Sequence, residues 1–419
     1  MKINRIAVTK LLIIILLILC EKCFYLINID NLYSTFIFLN TLVLIIVMYF
    51  PERKIKLKSN ERFMYYFFIL SIFIAVVAAI RANMVYNQPY LMSLVRLRTF
   101  FIVLLYFPIK KFINNKKERI DFIFTVIMRI SNIAVVTYFI QYLLANNVVF
   151  LQVKIGSRFS SMRFRFEEFL SIIAFFMVCS AFLKAKLYSD KILNGILLVI
   201  YFIYYIDIIK GRLQIIGLVV GLFAFLFIFY RSKIKIFIYM LVAILIFLII
   251  PIPIVNIYID SIKSDLNRET GNTLTIRESG RKLYIEHLDK HNSYMWGDGI
   301  VNDNWEEAAL ESGLRNYIYM VDNGIFGVIY YFGIIGAIWC LLLYSKLLLN
   351  SYKCLKQDRS SIDIGFGVSV LLFVTVINIP FITYTFAMAP ILILIAISDS
   401  LLNWNLKSAK VIMRYEIGE

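Results

Sequence analysis

Long apolar runs separated by short polar connections set the first limit on what this chain can fold into. Runs of 17 to 25 residues match what a helix rising 1.5 Å per residue needs to cross a hydrocarbon layer about 30 Å thick. Windows of about 19 residues place candidate spans at about 8–28, 33–50, 64–82, 91–109, 120–145, 168–184, 192–209, 213–230, 234–250, 324–344, 363–380 and 382–402. The runs are continuous rather than alternating, which excludes membrane β-barrel strands. With 61% hydrophobic residues, 16% aromatics and a mean hydropathy of +0.79, the composition excludes a water-soluble fold. The expected fold is an all-α polytopic membrane protein of about twelve transmembrane helices.

The formal charge of +17 suggests nucleic acid at first sight. The basic residues, however, lie between spans rather than on one face of a soluble domain, so an anionic membrane surface is the expected partner and nucleic acid is not. With the N-terminus inside, the inner segments hold 26 of the 44 basic residues, and the connections at 29–32, 83–90 and 381–384 hold none. This predicts an N-in, C-in arrangement with one large outer loop between the ninth and tenth helices. The chain divides accordingly into helices one to nine (1–250), the loop (251–322), and helices ten to twelve with a cytoplasmic tail (323–419). An N-terminal run behind Lys2, Arg5 and Lys10 reads as an uncleaved first span, because apolar character resumes after Glu21 and Lys22. Cys20, Cys23, Cys179, Cys340 and Cys354 offer no disulfide framework and read as reduced thiols.

Two outer segments break the charge rule. The 146–168 connection carries Lys154, Arg158, Arg163 and Arg165, and the turn at 209–214 carries Lys210 and Arg212. Cations that oppose the insertion bias are retained either to meet lipid phosphates or to bind an anionic ligand. Arginine dominates here and recurs in the loop as Arg281 and Arg315, and its planar fork matches phosphate oxygens two at a time. A diphosphate is the natural ligand. Arg81, Arg96, Arg98 and Arg129 lie in or at the ends of spans, where pairing inside the bundle is expected.

The loop concentrates the remaining polar chemistry. Over 251–317 it holds seven basic and eleven acidic residues, together with both histidines. His287 and His291 are spaced i, i+4 and can share a helix face, yet no third ligand is evident, so no metal is expected. The sequence contains no phosphate-binding G-x-x-x-x-G-K-[ST] loop, no H-E-x-x-H helix and no G-x-S-x-G elbow. CEKC at 20–23 lies within an apolar run and is not read as a metal or redox pair.

The string VDNGIFGVIYYFGIIG at 321–336 resembles the pattern of the bacterial O-antigen ligase and O-antigen polymerase superfamily, in which a His-Asn or Asp-Asn pair precedes an apolar helix with two glycines. Asp322 and Asn323 stand at the pair, Gly333 and Gly336 at the glycines. Arg281 followed by Gly297-Asp298-Gly299 looks like the family's loop arginine and later Gly-x-Gly, and the segment at 210–222 looks like its arginine-led span, with Arg212 at the arginine. Ligases carry histidine where this chain has Asp322, which points to the polymerase branch.

The resemblance implies a glycosyltransferase architecture of the GT-C-like class. It implies a bacterial inner-membrane enzyme, with its active site facing the periplasm or cell exterior, that joins undecaprenyl-diphosphate-linked oligosaccharide repeat units into O-antigen or capsule. Arg212 and Arg281 would stabilise the leaving diphosphate. Asp322 would orient or deprotonate the acceptor hydroxyl, ahead of Glu311, Asp298 and Glu168 as alternatives. Arg158, Arg163, Arg165, Lys210, Arg315 and Asn323 would hold substrate, and a chain-length regulator is a further partner of this class. No cofactor is expected, because the diphosphate linkage already stores the activation energy. An O-antigen ligase and a lipid-linked oligosaccharide flippase are the alternatives. A flippase should show repeated halves, and no such internal symmetry is visible.

Overall fold

The computed structural model describes residues 4–27, 32–50, 61–96, 98–114, 116–158, 161–166, 169–230, 273–316, 318–355 and 363–417. The expected ninth span at 234–250, the start of the loop at 251–272 and Glu168 lie outside the described residues. The protein is a helical bundle. Among the described residues, six helices are long and apolar enough to cross a membrane: Arg62–Tyr86, Lys117–Leu144, Tyr188–Ile209, Arg212–Phe229, Ile325–Leu355 and Thr385–Leu402. Tyr33–Tyr49, Leu170–Lys184 and Asp363–Thr375 are shorter apolar helices. These coincide with expected spans because an apolar helix satisfies all its backbone groups internally.

Two expected spans differ. The first helix, Arg5–Cys20, is capped by the Asn4 side chain, which accepts from the Ile6 and Ala7 amides. It stops well short of residue 28, because Lys22, Cys23, Phe24 and Tyr25 all take positive φ and reverse the chain. The fourth span is interrupted by a 3-10 turn at Ile102–Leu105, which separates Arg98–Phe101 from Tyr106–Ile113. Pro108 has no N–H to donate to the carbonyl four residues back, and the chain tightens just before it.

The Thr385–Leu402 stretch is the axis of the bundle: 94% of its window is buried, against 28% for Tyr188–Ile209 and Arg212–Phe229. A helix apolar all round belongs at the centre, and one with an uncovered apolar face belongs at the lipid boundary. Arg212–Phe229 crosses Asp363–Thr375 at small residues. A Cβ on Gly221 would lie 2.7 Å from the Gly367 carbonyl, and one on Gly217 would lie 2.7 Å from Thr375 Cγ2. Gly217 thus faces Leu371 and Thr375 while Gly221 faces Gly367, so the two helices run antiparallel in the close approach that membrane helices favour. Trp339, fully buried, stacks on Phe67 and Phe100 and donates to Ser71 Oγ at 2.8 Å, joining the two helices that carry the site. Charge is also neutralised inside the bundle. Asp399 accepts from Lys346 and Asn350 at 2.9 Å each and from Tyr106 at 2.8 Å.

The helical bundle, as expected for an all-α fold, carries one small non-helical element. Within the 146–168 connection, Ile155–Arg158 and Ser161–Phe164 form an antiparallel hairpin, with Gly156 opposite Arg163. Its foot is apolar: Phe166 stacks on Tyr138 at 4.1 Å.

Candidate functional site

Loop residues 273–316 and 318–324 are seated on one end of the bundle, and glycine explains how. The Ile325–Leu355 helix is broken at Gly333, whose φ of 69° and ψ of −174° are not helical. The break frees backbone carbonyls, and the loop takes them: Asp298 N donates to Tyr330 O at 2.8 Å and Gly299 N to Tyr331 O at 3.2 Å. In return Ile334 N donates to Tyr294 O at 2.9 Å. Gly297 and Gly299 have φ of 72° and 91°, a region open to glycine at little cost. A Cβ on Gly299 would stand 2.2 Å from Ala82 N, and one on Gly333 would stand 2.1 Å from Met295 O. The Gly-Asp-Gly turn is therefore wedged between the Arg62–Tyr86 helix and the broken helix. Gln88 holds the following strand of loop, donating to Ile300 O at 3.0 Å and accepting from Asn302 N at 2.7 Å.

The wedge delivers Asp298, which is fully buried, into a polar cluster. Ser293 Oγ donates to Asp298 Oδ1, and the Arg81 guanidinium lies 3.8 Å from the same oxygen. Arg81 also donates through Nε to Gly297 O at 3.0 Å. The other oxygen, Oδ2, lies 2.8 Å from His291 Nδ1 and 3.9 Å from His287 Nδ1. The histidines come from the amphipathic loop helix Thr273–Lys290 and the residue just after it, continued by the His291 N to His287 O bond. Tyr284, one turn earlier, stacks on Tyr330 at 4.1 Å, and His287 stands edge-on to Tyr330. Burial lowers the His287 pKa, and the Asp298 charge opposes that shift.

This corrects the sequence expectation for the histidines. The missing third group is Asp298, and the three donor atoms lie within 4.8 Å of one another. Spacing alone could not show it, because the turns between His291 and Asp298 set where the carboxylate falls. The visible signals were Gly297-Asp298-Gly299 itself and an arginine, Arg81, inside an apolar run.

A second cluster forms around Arg281, on the same loop helix. Its Nη2 donates to Asn378 Oδ1 at 3.0 Å, its guanidinium lies 5.0 Å from the Phe326 ring centroid, and its buried Nε has no protein partner. Asn323 is buried against Gly280, donates to Tyr319 O at 3.0 Å and leaves its own Oδ1 without a protein partner. Asp322, in the 3-10 turn Met320–Asp322, is exposed. Burial raises the Tyr284 pKa, and the Asp322 charge adds to the shift, so that carboxylate lies within electrostatic range of the tyrosine stack. Gly324 and Ile325 press this turn onto Ile377 and Val376, with Ile325 N donating to Val376 O at 2.9 Å. Arg281, Asp322, Asn323 and Asn378 thus converge at the end of the Asp363–Thr375 helix.

The third group lies at that same end of the neighbouring helix. Arg212 is the first residue of Arg212–Phe229, little more than one turn before Gly217, which packs on Thr375. Lys210 is buried with φ of 53°, and its Nζ donates to Met162 O at 2.9 Å; burial lowers its pKa and the nearby Arg163 adds to that shift. Arg163 Nε donates to Ile209 O at 2.6 Å, so the hairpin and the 209–212 turn are mutually pinned. Arg165 is exposed beside Gly156, and Arg158 ends the first strand. Arg315 is exposed in the 3-10 turn Leu314–Asn316, part of the loop. The expected site residues therefore fall into an Arg281–Asp322–Asn323 group and an Arg163–Lys210–Arg212 group, joined through the helix pair that meets at Gly217 and Thr375. No protein-family model and no curated protein matches this chain.

Proposed function

We propose that the protein is a membrane glycosyltransferase that polymerises undecaprenyl-diphosphate-linked oligosaccharide repeat units into a surface polysaccharide on the outer face of a bacterial plasma membrane. The observation that carries this reading is the half-buried Arg281 guanidinium, oriented by Asn378 and Phe326, with an unpartnered buried Nε beside the Asp322–Asn323 turn. A fixed cation with a donor to spare, at a bundle rim where Arg212 heads the next helix, suits a lipid diphosphate.

In the proposed reaction the bond between the anomeric carbon of the growing chain and its diphosphate breaks. A hydroxyl oxygen of the incoming repeat unit bonds to that carbon. Its proton passes to Asp322, and the diphosphate leaves with its charge met by Arg281 and Arg212. Arg163 and Lys210, held in place by backbone carbonyls, line the approach of a lipid-linked substrate together with Arg158 and Arg165. The charge rule that puts short basic loops inside supports an outward-facing site.

Deleting the gene in its native host and resolving the surface polysaccharide by size tests the reading. The polymerase reading predicts single repeat units on the surface lipid. Unattached full-length polymer would instead indicate a ligase, and loss of both would indicate a flippase.

A further inference from the structure

We propose that His287, His291 and Asp298 form a binding site for a zinc-class divalent cation, which fastens the outer-loop helix to the bundle. The proposal stands independently of the reaction assigned to the arginines, because it concerns different side chains and a separate ligand.

The donor set is the first argument. Two imidazoles and one carboxylate suit borderline transition metals, whereas calcium and magnesium call for shells made chiefly of oxygen. Spacing is the second. A tetrahedral ion with ligand bonds of about 2.0–2.1 Å sets its ligand atoms about 3.3 Å apart. His291 Nδ1 and His287 Nδ1 lie 2.8 Å and 3.9 Å from Asp298 Oδ2, on either side of that value. Shifts of about half an ångström bring these two spacings onto it, and all three donor atoms already lie within 4.8 Å of one another.

Orientation is the third argument. Ser293 and Arg81 engage Oδ1, which turns Oδ2 towards the two ring nitrogens. Outer groups that hold one carboxylate oxygen so that the other can ligate are characteristic of metal sites. The last argument is an unmet valence. His287 Nδ1 is buried and has no hydrogen-bond partner in the protein, while its ring is locked edge-on to Tyr330 and His291. A plain His291–Asp298 hydrogen bond accounts for two of the three groups and leaves that buried nitrogen stranded, an unfavourable arrangement. A bound cation uses all three.

The position indicates the role. Both histidines end the loop helix, and Asp298 is bonded through its own backbone to the break in the Ile325–Leu355 helix. A cation here cross-links the loop to the bundle within one turn of Tyr284 and two turns of Arg281. Three protein ligands leave a fourth position for water or a substrate oxygen.

The test uses full-length protein purified without a polyhistidine tag, stripped with chelator and titrated with Zn2+ or Co2+ in detergent. The proposal predicts one equivalent bound, tetrahedral visible bands with Co2+, and a rise in unfolding temperature on loading. His287→Ala, His291→Ala and Asp298→Asn should each weaken binding about 100-fold or more, while Lys290→Ala should not. Should any variant fail to fold, the wild-type titration alone decides. Failure of the wild type to bind one equivalent, or equal binding by a folded His287→Ala/His291→Ala double variant, would overturn the proposal.

Discussion

Replacing Arg281 or Arg212 with alanine is expected to stop polysaccharide chain growth while the protein remains at its normal level in the membrane. Removing one preorganised donor that meets charge developing in a transition state costs about 10²–10³-fold in rate. Here each residue is assigned to the departing diphosphate, so the double variant should fall to background. Arg281→Lys keeps the charge and loses the fork that both donates to Asn378 and presents Nε, so it should recover only a small part of the rate. Lys282, the next residue, is 70% exposed and pairs with Glu278 on the outer side of the loop helix. Lys282→Ala should therefore leave chain length unchanged. Surface glycan resolved by size, with the protein quantified in the same membranes, reads all five variants. Full-length polymer in both alanine variants would remove the arginines from the mechanism.

The largest structural effect should come from Gly299→Ala and Gly333→Ala. Each places a side chain in a left-handed backbone region, at about 1–3 kcal/mol. Each also drives a Cβ to within 2.2 Å of a backbone atom of a packed partner, Ala82 N for Gly299 and Met295 O for Gly333. Neither neighbour can rotate away, because both are main chain. The loop must therefore lift from the bundle, taking Asp298 with it. We expect a loss of about 3 kcal/mol or more in stability, seen as a lower unfolding temperature in detergent or as loss of protein from the membrane. Gly156 is the control: a Cβ there meets nothing closer than Arg165 Nε at 3.9 Å. Gly156→Ala should unfold like the wild type.

These glycines also show what could be read from the letters. The spans at 64–82 and 192–209 fall inside observed helices because one-dimensional hydropathy reports directly on a helix that must satisfy its own backbone. The pairing of Gly297-Asp298-Gly299 with Gly333 is a contact between distant stretches of chain, and no periodicity encodes it. Arg81 stands out in the sequence as a charge inside an apolar run, but its partner Asp298 lies more than 200 residues away. His287 and His291 look like an incomplete pair in sequence because the fold of the turns after His291, not spacing, brings Asp298 to them. The strands Ile155–Arg158 and Ser161–Phe164 are four residues each, too short for alternation to register in the sequence. Arg212 and Arg281 stood out for a different reason, as cations where the charge rule expects few.

The most direct test of the central assignment, a cationic rim that holds a lipid diphosphate during sugar transfer, is reconstitution. Purified protein in lipid nanodiscs, given only undecaprenyl-diphosphate-linked repeat units from the host, should produce a ladder of longer lipid-linked chains. Undecaprenyl diphosphate should be released in step with each bond formed, and both products should vanish in Arg281→Ala. Intact repeat units with no released diphosphate, from folded protein, would contradict the account.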